Sequence, residues 1–128
     1  MKKMLTNSEM ELMDVFWSAK EPLSSLEILD MSSKWSETYI HVMLRALLKK
    51  EMIEVCGVVQ SGKKYARQFR ALVSQEEYEI ELFSERGVKP SEILKIAAGL
   101  VEKSEGDANQ HLLEELDKLI AELENKED

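Results

Sequence analysis

One cysteine, Cys56, stands among 128 residues, so no internal disulfide can form. Two histidines, His41 and His111, add too few donors for a metal-ligand cluster, and count alone excludes a structural zinc site. Five glycines and two prolines leave little room for the many tight turns of an all-β fold. No stretch approaches the ~20 apolar residues that a membrane span needs. The basic opening Met1-Lys2-Lys3 is followed by Glu9, Glu11 and Asp14 rather than by an apolar run, unlike a signal peptide. The expectation is a cytoplasmic protein without cofactor or metal. What is present, 44% hydrophobic and 33% charged residues, is the composition of a folded globular chain. Its length suits one ordinary domain, or a small domain with an appendage.

The formal charge of -8 argues at first against nucleic acid, because an acidic protein repels phosphate. The charge is unevenly spread, however. Between Lys34 and Val73 lie eight basic residues (Lys34, Arg45, Lys49, Lys50, Lys63, Lys64, Arg67, Arg70) and three acidic ones (Glu37, Glu51, Glu54). From Glu81 to Asp128 there are six basic and thirteen acidic residues. A basic middle and an acidic C-terminal part point to two separate tasks.

Thr6-Asn7-Ser8-Glu9 has capping-box spacing, and Met10, Met13, Phe16 and Trp17 recur at helical intervals, which predicts a first helix over residues 7–19. Glu21-Pro22 breaks it. Ser24-Ser25-Leu26-Glu27 is a second capping box, opening a short helix with Leu26, Ile28 and Leu29. After the polar turn Ser32-Ser33-Lys34, Ser36 caps a third helix from Glu37 to about Lys50. Its inward stripe is Ile40, Met43, Leu44, Leu47 and Leu48; Thr38, His41, Val42, Arg45 and Lys49 form the outward one. The period then changes to two. Ile53, Val55, Gly57 and Val59 alternate with Glu54, Cys56 and Val58, and a second strand over Tyr65 to Leu72 carries Tyr65, Arg67 and Phe69 on one face. Gln60 to Lys64 forms the loop between them, with Gly62 supplying a positive φ. Ser74-Gln75-Glu76-Glu77 caps a fourth helix that Gly87 ends, Pro90 opens a fifth, and Gly106-Asp107 separates it from a sixth.

The predicted fold is mainly α with a small β-hairpin: a winged helix-turn-helix over 1–73 and a helical dimerisation region over 74–128. The third helix suits the major groove, where Thr38, His41 and Arg45 reach base edges or the phosphates beside them. Ser36, Tyr39, Val42 and Lys49 complete that surface, with Val42 able to touch a thymine methyl, while Ser61, Lys63 and Lys64 at the hairpin suit the neighbouring backbone. The C-terminal helices bury little on their own. Leu82, Phe83, Ile93, Ile96, Leu100, Leu112, Leu116, Leu119, Ile120 and Leu123 are the expected contacts with a second copy. The alternative is packing of these helices on their own N-terminal domain. Catalysis is not expected. His41 is far in sequence from a Cys or Ser partner, Cys56 in a strand is most simply an inert thiol, and His111 faces solvent on the last helix. Two readings remain: a dimeric DNA-binding protein, and a winged-helix module that contacts proteins and no DNA.

The segment Trp35-Ser36-Glu37-Thr38-Tyr39-Ile40-His41-Val42-Met43-Leu44-Arg45-Ala46-Leu47-Leu48-Lys49-Lys50 resembles the recognition helix of the penicillinase-repressor family. Leu5-Thr6 with Glu9 and Trp17 resembles that family's opening helix, and Gly62 through Tyr78 its wing and the start of the next helix. The resemblance covers residues 5 to about 83; beyond that only the helix pattern is similar. It implies a homodimeric transcriptional repressor that binds a palindromic operator and dimerises through its C-terminal helices. Tyr39, Val42 and Ala46 stand where the family tends to have Thr, Thr and Arg, and Glu51 stands where it has Gly. The family also implies a regulatory protease that cuts an Asn-Phe bond before the last helix. This chain has Ile96-Ala97-Ala98-Gly99-Leu100-Val101 there and no Asn-Phe pair, nor the Cys-x-Cys pairs of the copper-responsive branch.

Overall fold

Thr6 opens the first helix by the mechanism its spacing predicts. In a computed structural model, which describes residues 4–104 and 109–127, the Glu9 N–H donates to the Thr6 hydroxyl at 3.1 Å. The Thr6 N–H in turn donates to the Glu9 carboxylate at 2.9 Å. These reciprocal bonds satisfy two donors that a helix start leaves unpaired and begin α1 (Asn7–Ser18). Ser24 and Glu27 repeat the arrangement ahead of α2 (Ser25–Met31). The Ser36 hydroxyl accepts the Tyr39 N–H at 3.1 Å to begin α3 (Glu37–Lys49).

The chain divides into two compact units, Met1–Glu79 and Ile80–Asp128. In the first, Leu12, Met13 and Phe16 of α1, Ile28 of α2, and Ile40, Met43, Leu44 and Leu47 of α3 form the core, closed by Trp35, Met52, Ile53 and Phe69. The inward stripe of α3 is as predicted, except that Leu48 is half-buried. α3 ends with its Glu51 N–H donating to the Leu48 carbonyl and the Met52 N–H to the Leu47 carbonyl. This hydrogen-bond pattern requires a left-handed residue, and Glu51 adopts it at φ 60°.

Behind α3 stand β2 (Ile53–Ser61) and β3 (Lys64–Ala71), paired antiparallel. The connection is shorter than the five-residue loop expected. Ser61 pairs with Lys64, leaving Gly62 and Lys63 as the turn, with Gly62 at φ 64°. Positive φ at the first central residue alone matches the strand twist as a type II′ turn does. The alternation read along β2 also needs correction. Val55 pairs with Phe69 but Gly57 with Gln68, so Cys56 is an extra residue in a bulge. Beyond the bulge the faces exchange. Val58 now shares a face with Arg67 and Phe69, and Gly57 and Val59 turn to the face of Gln68. A third strand, β1 (Leu23–Ser24), pairs with β3 at Phe69 and Gln68 and gives the order β1-β3-β2. Two residues are too few for any periodicity, so the sequence carried no sign of β1.

The start of α4 (Gln75–Glu85), capped by Ser74 and Glu77, belongs to this first unit. Tyr78 is buried, its ring 6.1 Å from that of Trp17, and its hydroxyl accepts the Leu5 N–H at 3.3 Å. The Trp17 indole N–H donates to the Val73 carbonyl at 2.9 Å.

In the second unit α4 ends at Gly87, φ 70°, where the Val88 N–H donates to the Phe83 carbonyl. Pro90 occupies the first position of α5 (Pro90–Lys103), and α6 (Asn109–Glu127) returns antiparallel to it. The two ends of this pair are fastened. Ser91 donates from its N–H and hydroxyl to the Glu127 carboxylate, Lys95 pairs with Glu124 at 3.0 Å, and the Asn109 amide donates to the Val101 carbonyl. The expected break at Gly106-Asp107 lies outside the described residues.

Candidate nucleic-acid interface

α3 has one face in the core and one in solvent. Thr38, Tyr39, His41, Val42, Arg45 and Lys49 are all exposed, with Val42 at 47%, high for an apolar side chain. A buried stripe and a solvent-facing stripe, each recurring every three to four residues and about half a turn apart, follow from the 3.6-residue period. Ser36, exposed at the helix start, accepts the Tyr39 N–H as the cap and keeps its hydroxyl proton to donate. Glu37, also on the outer face, lies 3.9 Å from His41. At the hairpin, Lys63 and Lys64 are exposed; Ser61 ends β2, and its side chain lies outside the described part of the structure.

The basic residues fall into two groups. Lys34 is paired with Glu11 at 2.6 Å, Lys50 with Glu9, and Arg70 with Glu54 at 2.8 Å. The Glu54 bond also strengthens the hold of Arg70 on its proton. Arg45, Lys49, Lys63, Lys64 and Arg67 have no carboxylate within ion-pair distance among the described residues. All five lie on the outer face of α3 or on the hairpin. Cations left without an internal counter-ion on one part of an acidic protein remain available to an external anion.

Arg67 is the member of this set that sequence reasoning passed over. Strand alternation places it beside Phe69, and its guanidinium lies over the Phe69 ring, 5.4 Å from the centroid. Together with His41, Leu44, Arg45, Leu48 and Phe69 it lines a cleft of about 270 Å³ between α3 and the hairpin. Only the tertiary fold brings Arg67 into one cleft with Arg45; the 21 residues between them give no local signal.

A family profile described as penicillinase repressor matches residues 5–122. The chain belongs to the penicillinase repressor family. It is thus a transcriptional repressor and not an enzyme, built as a winged helix with C-terminal helices. No match was found among curated proteins. Glu51, which the sequence resemblance sets where the family has Gly, occupies a left-handed backbone position at φ 60°, where glycine is favoured. Among the described residues of this repressor no helix is long and apolar enough to cross a membrane, and no group of three or more His, Cys, Asp or Glu is placed to hold a metal.

The apolar residues expected to pair with a second copy separate into two sets. Ile120 is buried within the second unit, and Leu82, Phe83, Ile93, Leu116 and Leu123 are half-buried. Ile96 and Leu100 on α5, and Leu112 and Leu119 on α6, are open at between 47% and 64% exposure. At 100° per residue the apolar stripe of α6 from Leu119 round to Leu113 is roughly 120° wide. Its Ile120 edge is covered, and its Leu112 and Leu119 edge is open.

Proposed function

We propose that this repressor acts as a homodimer on a palindromic DNA operator, with α3 of each copy in the major groove and the hairpin wing along the adjacent backbone. Thr38, Tyr39, His41 and Val42 face base edges, and Ser36, Arg45, Lys49, Ser61, Lys63 and Lys64 serve the strands on either side. The observation that carries the reading is the set of five cations on α3 and the hairpin that have no carboxylate partner among the described residues. The acidic excess lies elsewhere, in the second half of the chain. That half supplies the second copy's docking face, with Ile96, Leu100, Leu112 and Leu119 at its centre. The protein works in the cytoplasm, and its release from DNA does not use cleavage at an Asn-Phe pair, since the sequence contains none.

Selection of bound duplexes from a random DNA pool, repeated across salt concentrations, tests this. The expected outcome is enrichment of a palindrome whose affinity falls steeply as salt rises. Absence of any enriched sequence, together with weak binding at low salt, would overturn it in favour of a protein partner for the outer face of α3.

A further inference from the structure

The cleft between α3 and the hairpin has a composition that neither element explains alone. Its floor is apolar, from Leu44, Leu48 and Phe69, and its rim is cationic, with Arg45 from the helix and Arg67 from the wing. His41 completes the rim and lies toward Glu37. The cleft continues along the hairpin past Lys64 and Tyr65, where Glu37 is the one carboxylate among the lining residues. Glu37 sits two helical turns before Arg45, and neither arginine has a carboxylate within 4 Å among the described residues. The Phe69 ring beneath Arg67 orients its guanidinium without neutralising it.

We infer that Arg45 and Arg67 form a two-element seat for a single phosphate of the DNA backbone, so that the wing and the recognition helix grip the same phosphate. The inference rests on the DNA-binding reading and adds a residue and a geometry to it. Two guanidiniums approaching one anion from separate elements satisfy the fork geometry that arginine prefers with phosphate. The apolar floor accommodates the sugar carbons that flank a backbone phosphate. A seat of this kind fixes the height of α3 over the groove without reading sequence. It also makes the angle between wing and helix, rather than either alone, decisive for affinity.

The experiment is fluorescence anisotropy of the full chain with two labelled duplexes, one enriched from the random pool and one of arbitrary sequence, over a salt series. Arg45→Gln, Arg67→Gln, the double variant and Arg70→Gln are compared with the unaltered protein. Each single change is expected to weaken both duplexes about tenfold. The double variant is expected to lose about 1.8 in the slope of log affinity against log salt, the share of one phosphate under each copy of the dimer. Its affinity loss stays below the product of the two single losses, because each arginine holds the phosphate for the other. Arg67→Lys should keep most of the slope while losing affinity, since the charge survives and the fork does not. Arg70→Gln, on the opposite face of β3 and already paired with Glu54, should bind as the unaltered protein does.

A slope loss of about 3.6 in the double variant, with multiplying affinity losses, would place the arginines on separate phosphates and overturn the shared seat. Unaltered affinity and slope in Arg67→Gln would remove the wing from it, and an equal effect of Arg70→Gln would reduce it to bulk charge. Failure of the unaltered protein to bind either duplex is a different result. It would end the DNA-binding reading itself, and the seat with it.

Discussion

Glu9 performs three tasks with one carboxylate. It closes the capping box with Thr6, lies almost wholly buried, and accepts the Lys50 ammonium, which also donates to the Met4 carbonyl. Burial pushes its pKa upward, yet the Lys50 bond and the Thr6 bonds together outweigh that, and the net direction is below the ordinary carboxylate value. A lowered carboxylate stabilises the fold fully above its unfolded pKa, about 4.3, and that contribution disappears as pH falls through the lower folded value. Glu9→Gln should therefore lose about 1–3 kcal/mol at neutral pH, and its melting temperature should fall less steeply with acid than that of the unaltered protein. Thermal unfolding followed from pH 7 to pH 3 checks this; parallel curves would show that Glu9 carries none of the pH dependence. The capping role was legible from Thr6 and Glu9 alone. The Lys50 partner, 41 positions away, was not.

At the level of elements, local signals and structure agree wherever the deciding interaction spans few residues. The capping boxes at Thr6, Ser24 and Ser74 each need only a hydroxyl and a carboxylate three positions apart, and each is made. The end of α3 shows the reverse case, a local conflict tolerated by its surroundings. The bonds of Glu51 and Met52 back to Leu48 and Leu47 demand a left-handed residue, and Met52 is fully buried, so Glu51 is held there despite its side chain. A non-glycine residue in that region costs about 1–2 kcal/mol, of which glycine's greater freedom in the unfolded chain returns roughly half. Glu51→Gly is expected to stabilise the protein by about 0.5–1 kcal/mol, measured by urea denaturation; a loss of stability would mean that the Glu51 side chain makes a compensating contact. The Cys56 bulge escaped notice because Ile53 to Val59 alternates acceptably in either register. Only pairing with Phe69 and Gln68 decides which residues turn with Arg67.

Across the whole molecule, the formal charge of -8 conceals an internal separation. The first unit neutralises Lys34, Lys50 and Arg70, and among the described residues leaves Arg45, Lys49, Lys63, Lys64 and Arg67 without a carboxylate, while the acidic excess is carried from Glu81 onward. In the proposed DNA-bound state, repulsion from the acidic half would oppose non-specific adhesion to nucleic acid, leaving the basic surface to act at short range. The second unit has its own imbalance, an apolar stripe on α6 wider than the part that is buried. If two copies cover it, the protein should sediment at twice its 14.7 kDa chain mass, and Leu119→Asp should shift it to monomer without unfolding, because Leu119 is half exposed. Leu100→Asp should do the same from α5. Persistent dimers in both variants would place the interface away from this stripe.

What the sequence determined by itself was everything set by short-range repetition and capping: the helices, the inward and outward faces of α3, the hairpin, and the separation of charge along the chain. These depend on residues within a few positions of each other, where periodicity and hydrogen-bond reach are visible. The tertiary structure alone decided which cations are neutralised, that Arg67 joins Arg45 across a cleft, that Leu23–Ser24 adds a third strand, and which edge of α6 stays open. Each of those outcomes depends on the approach of segments distant in sequence, where charge and apolar character restrict the possible partners without choosing among them.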